Sequence, residues 1–161
     1  AMFSATVTAQ VEADLRSFLP EMLRLGQASE DYNPIRRHIG VSFKMTEHED
    51  EARISNIVQY IDENNIDFDK SCMIVFCRTH RQCEETADAL SAYCALKDAG
   101  DVLSKCVDRI GFYHAGLDAD QRNDIYEKFK RVDGVEPIYI LCATKAFGMC
   151  RDIPNVHYVV H

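Results

Sequence analysis

Three short clusters in this chain carry the residue types that could do chemistry: Cys77-Arg78-Thr79, Tyr113-His114-Ala115-Gly116 and Cys142-Ala143-Thr144-Lys145. Each follows directly on an apolar run. Between them they offer a guanidinium, an imidazole, two threonine hydroxyls and an ammonium, together with the first amides of whatever turn or helix comes next. That set suits the reading of phosphates, because hydroxyls, cations and unpaired N–H groups all address a phosphate oxygen. It lacks the parts of a bond-breaking site. There is no GxxxxGK[ST] loop to cradle a triphosphate, no HExxH, and no acidic pair after a strand to hold Mg2+. His114 could act as the base for a cysteine nucleophile, yet nothing in the sequence sets a particular thiol beside it.

The elements that position these clusters follow from hydrophobic periodicity. Residues 72–77, CMIVFC, read as a strand buried on both faces, and Thr79 with Gln82 predicts the cap of a helix whose face is Cys83, Ala87, Leu90 and Cys94, with Gly100 as its stop. Residues 109–113 form the next strand. Asp118 with Gln121 caps a helix over Arg122, Ile125, Tyr126 and Phe129, closed by Gly134, and 138–142 is a third strand. The chain then passes Gly148 through a short helix and restarts as a strand after Pro154. Successive strand–helix–strand units predict parallel strands. The carboxyl ends of the strands then collect the three clusters along one sheet edge, where open α/β sheets bind ligands.

Upstream the signals are sparser. Ala1 to Thr6 reads as a short strand entering Ser4-Ala5-Thr6, followed by a helix with Val11, Leu15, Phe18 and Leu19 on one face and Pro20 at its end. A strand so close to residue 1 leads us to expect that the chain begins inside a larger protein. A polar passage, GQASEDYNP at 26–34, reads as a linker and 35–43 as a strand. Thr46 and Glu49 form a capping-box pattern ahead of a helix face made by Ile54, Ile57, Val58 and Ile61.

Composition narrows the class. The 161 residues are 47% hydrophobic and 27% charged, which suits one domain or one domain plus part of another. No apolar run approaches the roughly 18 residues of a membrane helix, and no signal-peptide order opens the chain; an intracellular protein, cytoplasmic or nuclear, with no membrane partner is expected. The seven cysteines include no CxxC, so we expect buried or half-buried free thiols rather than disulfides, and no metal site. A net charge of −8 confines any nucleic-acid surface to a local patch.

In order along the chain, Ser4-Ala5-Thr6, Ile74-Val75-Phe76-Cys77-Arg78, Tyr113-His114-Ala115-Gly116-Leu117, Ala143-Thr144-Lys145-Ala146-Phe147-Gly148-Met149 and Pro154-Asn155-Val156 resemble motifs III, IV, the HAGL segment and V of RecQ-like superfamily 2 helicases. The resemblance covers nearly the whole chain. It implies an α/β fold, a RecA-like open parallel sheet with helices on both faces, truncated before motif VI. Residues 1–25 would be the tail of the first RecA-like domain, 26–34 the inter-domain hinge, and 35–161 an incomplete second RecA-like domain.

By the same resemblance, Arg78, His114, Thr144 and Gly148 would lie on the nucleic-acid path, with Thr144 bonding a strand phosphate and Gly148 allowing close backbone approach. Asp152 would face the nucleotide ribose, and Ser4, Ala5 and Thr6 would couple the two sites. No catalytic residue falls within the fragment. ATP and Mg2+ would be held by the parent protein, whose partners are single-stranded or partly duplex DNA and, for this chain, the first RecA-like domain. The fragment alone would be inactive. The chain departs from the family at Cys150, where a second glycine is usual, and at Arg151-Asp152, where Ile-Asn is common. Two rival readings are a non-catalytic RecA-like module that uses the edge for nucleic acid or protein, and a small α/β hydrolase using a cysteine. More local roles compete at single residues: Arg78 as a salt-bridge partner of Glu84 or Glu85, His114 as a loop cap, Thr144 as an ordinary helix cap, and Lys145 as a solvated lysine.

Overall fold

A computed structural model of the chain describes residues 13, 14, 17, 40, 52–131, 134–148, 153 and 155–161. The chain divides into two compact units, Ala1–Lys44 and Met45–His161, and the elements below belong to the second. Of the strand expected at 35–43 only Gly40 is described, exposed and without strand structure; the capping pattern at Thr46 and Glu49 and the residues Ser4, Ala5, Thr6, Cys150 and Asp152 lie outside the described residues.

Among the described residues four strands make one sheet: β1 (Cys72–Phe76), β2 (Ile110–Tyr113), β3 (Ile140–Ala143) and β4 (Val156–Val160), in the spatial order β2-β3-β1-β4. Every pairing is parallel. Val75 lies opposite Cys142 and Val160, and Phe112 opposite Cys142, so the strands end together. The expected strand positions and direction therefore hold, with boundaries within two residues. Among the described residues of this unit the helices are α1 (Arg53–Glu63), α2 (His80–Ala95) and α3 (Ala119–Lys130), with 3-10 turns at Val102–Cys106 and Lys145–Phe147.

The period-2 alternation of the strands sorts the apolar residues into two cores. Met73, Val75, Cys77, Ile140 and Cys142 face α1 and α2, meeting Ile57, Val58, Ile61, Cys83, Ala87, Leu90 and Cys94. Cys72, Ile74, Tyr113, Leu141 and Ala143 face the other way, against Phe129 of α3 and Phe147. Helices on both faces of a parallel sheet require strands without a polar side, and β3 is buried at all four positions. This is the open parallel α/β sheet that the strand pattern implies, with the RecA-like architecture that the resemblance implies. At the edge, β4 alternates between partly buried and exposed residues and pairs, among the described residues, only with β1.

The caps follow local chemistry. The Asp118 carboxylate accepts the Gln121 amide at 2.8 Å while the Gln121 side chain accepts the Asp118 amide at 3.1 Å, a complete capping box. At α2 the Thr79 hydroxyl accepts the Gln82 amide at 3.1 Å, but the Gln82 side chain turns to the amide of Arg78 at 2.9 Å. Two expected stops shift. Helix α3 ends at Arg131, which itself takes the left-handed conformation at φ 61°, ahead of Gly134. Helix α2 ends at Ala95, short of Gly100, because its buried face runs out at Cys94 and Leu96 is 86% exposed. Leu103 and Cys106 of the following 3-10 turn then fill the core. Helix α1 starts at Arg53, with Ala52 before it making no side-chain cap.

Candidate nucleic-acid interface

The ends of β1, β2 and β3 bring the three clusters to one edge, and backbone hydrogen bonds lock them side by side. The Cys77 amide donates to Ala143 at 2.8 Å, and the Thr144 amide to Tyr113 at 3.0 Å. Arg78, His114 and Thr144 therefore occupy neighbouring positions on consecutive strands. His161 joins the edge from β4, its ring stacked on Phe76 at 4.8 Å.

Thr144 sits at the mouth of the Lys145–Phe147 turn, 8% exposed and in extended conformation, and its hydroxyl makes no cap hydrogen bond. The ordinary-cap role is thus not the one it plays. Within the turn the Phe147 amide donates to Thr144 and the Gly148 amide to Lys145. The amides of Lys145 and Ala146 have no backbone partner among the described residues. The expected short helix is a single 3-10 turn, so its dipole is small, and any anion affinity rests on the hydroxyl and the two amides. Lys145 is exposed.

Gly148 has φ −78°, open to any residue, and a Cβ there would meet nothing closer than the Lys145 carbonyl at 3.6 Å. Packing against the described residues does not demand a glycine at this exposed position.

His114 is 4% exposed, and both its ring nitrogens are committed within the chain. The Gly116 amide donates to Nδ1 at 3.2 Å, which fixes the proton on Nε2, and Nε2–H donates to the Glu84 carboxylate at 2.9 Å. His114 thus accepts a loop amide rather than capping a loop carbonyl, and neither nitrogen addresses a thiol, which removes the geometry a cysteine hydrolase would need. Arg78 is exposed at the start of α2. Of the two carboxylates considered as its partners, Glu85 pairs with Arg81 at 2.7 Å and Glu84 with His114.

The six described cysteines are buried and free. Cys77, Cys83 and Cys142 cluster beneath the edge, where the Cys83 thiol donates to the Cys142 carbonyl at 2.9 Å. Interaction with the neighbouring Cys77 sulfur, together with burial, raises the Cys83 and Cys142 thiols above the ordinary value. Cysteine spacing in the sequence carries no signal of this cluster, because it is assembled from two strands and a helix. The engagement of Glu84 with His114, across 30 positions, was equally invisible.

A parallel sheet with helices on both faces and a phosphate-suited edge defines the class, and residues 52–161 match the family described as the helicase conserved C-terminal domain. The chain belongs to that family. Its relatives place it further. It is 27% identical over 159 residues to the probable ATP-dependent DNA helicase RecS of Bacillus subtilis, a match covering 98% of this chain and 27% of that protein. It is 34% identical over 90 residues to ATP-dependent DNA helicase Q5 of Rattus norvegicus, covering 56% of this chain and 8% of that protein. With ATP-dependent helicase SGS1 of Saccharomyces cerevisiae it shares 31% over 88 residues, 55% of this chain and 5% of that protein. The chain carries a RecQ-like superfamily 2 helicase C-terminal domain, and it spans about a quarter or less of the length of these relatives. Among the described residues no helix is long and apolar enough to cross a membrane.

Proposed function

We propose that this chain is the second-domain portion of an intracellular ATP-dependent DNA helicase, cytoplasmic or nuclear, and that its sheet edge contacts the phosphates of single-stranded or partly duplex DNA. The observation that carries this reading is the Thr144 turn: a hydroxyl that makes no cap bond and two amides without a backbone partner among the described residues, beside a glycine that those residues do not require. Thr144 bonds a strand phosphate, Gly148 lets the strand come close, and Arg78 supplies the long-range attraction. His114 acts by shaping the 114–117 turn from beneath rather than by touching the strand.

In this proposal residues 1–25 are the tail of the first RecA-like domain, 26–34 the hinge and 35–161 the second domain. Asp152 faces the ribose of ATP, and Ser4, Ala5 and Thr6 link the nucleotide to the strand. The parent binds ATP and Mg2+. These 161 residues contain no GxxxxGK[ST] loop and no DExH box, so the chain alone does not hydrolyse ATP.

Titration of the labelled chain with a short single-stranded oligonucleotide, followed by NMR, tests the interface. The edge makes two or three phosphate contacts under a net charge of −8, so affinity is millimolar at physiological salt and rises at low salt, with a slope of about −1 to −2 in log K against log salt. Shifts should map to Arg78, Ala115, Gly116 and the 144–148 turn, and Arg78→Ala should flatten the slope. Shifts confined to the helix faces around Ile57 and Leu90, with the three loops silent, would overturn the reading.

A further inference from the structure

Beside the phosphate-suited groups, the edge carries three aromatic rings in a stack. The rings of Phe112 and His114 lie 5.7 Å apart at 11°, and those of His114 and His80 lie 4.4 Å apart at 13°. The inner members are fixed. Phe112 packs against the core, and His114 is held in its own plane by Glu84 on one edge and the Gly116 amide on the other. His80 is the outermost ring and is exposed at the first position of α2, directly after Arg78 and Thr79.

The surroundings keep that ring flat. A Cβ on Gly116 would lie 3.0 Å from Nδ1 of His80 and 3.1 Å from Nδ1 of His114, so the absence of a side chain lets the 114–117 turn run along the edges of both imidazoles. One face of His80 is covered by His114, one edge by Gly116, and its remaining exposure is toward solvent. A single exposed histidine on a first helical turn would ordinarily sample several rotamers. Here the ring is preorganised as the top of a rigid column, and ordering it on binding costs little.

A flat π face beside a cationic and hydroxyl-bearing phosphate path is the arrangement by which proteins hold unpaired bases. We propose that His80 is a stacking platform for one base of a single strand whose phosphates run along the Arg78 and Thr144 loops; this rests on the nucleic-acid reading above. Because every base has a π face, the platform fixes where a base sits without selecting which base it is. It also favours single strands over duplex, since a paired base in a helix is already stacked on its neighbours.

The test compares two ligands at low salt by NMR titration of the chain: an oligodeoxyadenylate of about six nucleotides, and an oligomer with the same number of phosphates and no bases. The chain should bind the base-bearing oligomer about five-fold or more tightly than the abasic one, with ring-current shifts on the His80 imidazole protons. His80→Ala should remove most of that preference and leave abasic binding unchanged, whereas His80→Phe, which keeps a π face without a nitrogen, should retain it. Circular dichroism of both variants checks that α2 is intact. A ratio near one in the unsubstituted chain overturns the proposal, as does a ratio that His80→Ala leaves unchanged, or a His80→Ala variant that weakens both ligands equally. If neither oligomer binds the unsubstituted chain, the nucleic-acid reading fails and the platform fails with it.

Discussion

Replacing Thr144 by valine separates a residue that holds the fold from one that holds a ligand. Valine has nearly the same shape, so the methyl packing of this almost buried side chain persists and only the hydroxyl is lost. A capping hydroxyl removed in this way costs about 1 kcal/mol of stability. The Thr144 hydroxyl makes no cap bond, so Thr144→Val should change the unfolding free energy by less than about 0.5 kcal/mol. In binding, the same change removes a hydrogen bond to a phosphate oxygen, worth roughly 0.5 to 1.5 kcal/mol at this partly wet edge, or about two- to twelve-fold in affinity. Thr144→Ser, which keeps the hydroxyl, should restore binding. Urea melts followed by far-ultraviolet circular dichroism give the first number, and oligonucleotide titration gives the second. A loss of 1 kcal/mol or more in stability with unchanged binding would refute the reasoning and return Thr144 to the role of an ordinary cap.

Arg131 should matter at the opposite end of the sheet. Its guanidinium donates to the carbonyls of Asp69 at 2.8 Å, Ser71 at 2.7 Å and Phe68, and lies over the Tyr139 ring at 5.2 Å. Arg131→Ala leaves these partly buried carbonyls without their charged donor at the same left-handed backbone, and a loss of about 3 kcal/mol in a urea melt is expected; a loss under about 1 kcal/mol would contradict it. Buried thiols set the alkaline limit of stability. Burial raises Cys72, Cys94 and Cys106 above the ordinary 9.0, Cys106 to about 12. Above pH 9 the unfolded chain therefore sheds thiol protons that the folded chain keeps, and stability that is full below that pH declines as pH rises toward 12. The urea midpoint should fall between about pH 8.5 and 10.5, and Cys106→Ala should flatten the fall. A midpoint that stays level across that interval would show that these thiols ionise in the folded state as readily as in the unfolded one.

Signals written within a few residues of one another were legible from sequence, and those completed across the fold were not. The apolar runs gave the four described strands and their direction, because a strand buried on both faces by crossing helices leaves no polar alternation. The Asp118–Gln121 box was equally plain, since both of its bonds join residues three apart. The end of α2 falls short of Gly100 because a glycine is a permissive stop, not a compulsory one; the buried face runs out at Cys94 and the helix ends at Ala95. For the edge the lesson is more particular. The residue types there named four candidate ligands of one strand, of equal standing. Hydrogen bonding divides them. His114 is drawn into the chain's own structure by Glu84, thirty positions away, and by Gly116, whereas the Thr144 hydroxyl is left out of the 3-10 turn it introduces. A histidine held on both nitrogens cannot also grip a phosphate, but it can hold flat the ring of His80 above it. The chemistry offered to a ligand is thus what remains after the fold has satisfied its own donors and acceptors, and that remainder is a tertiary property.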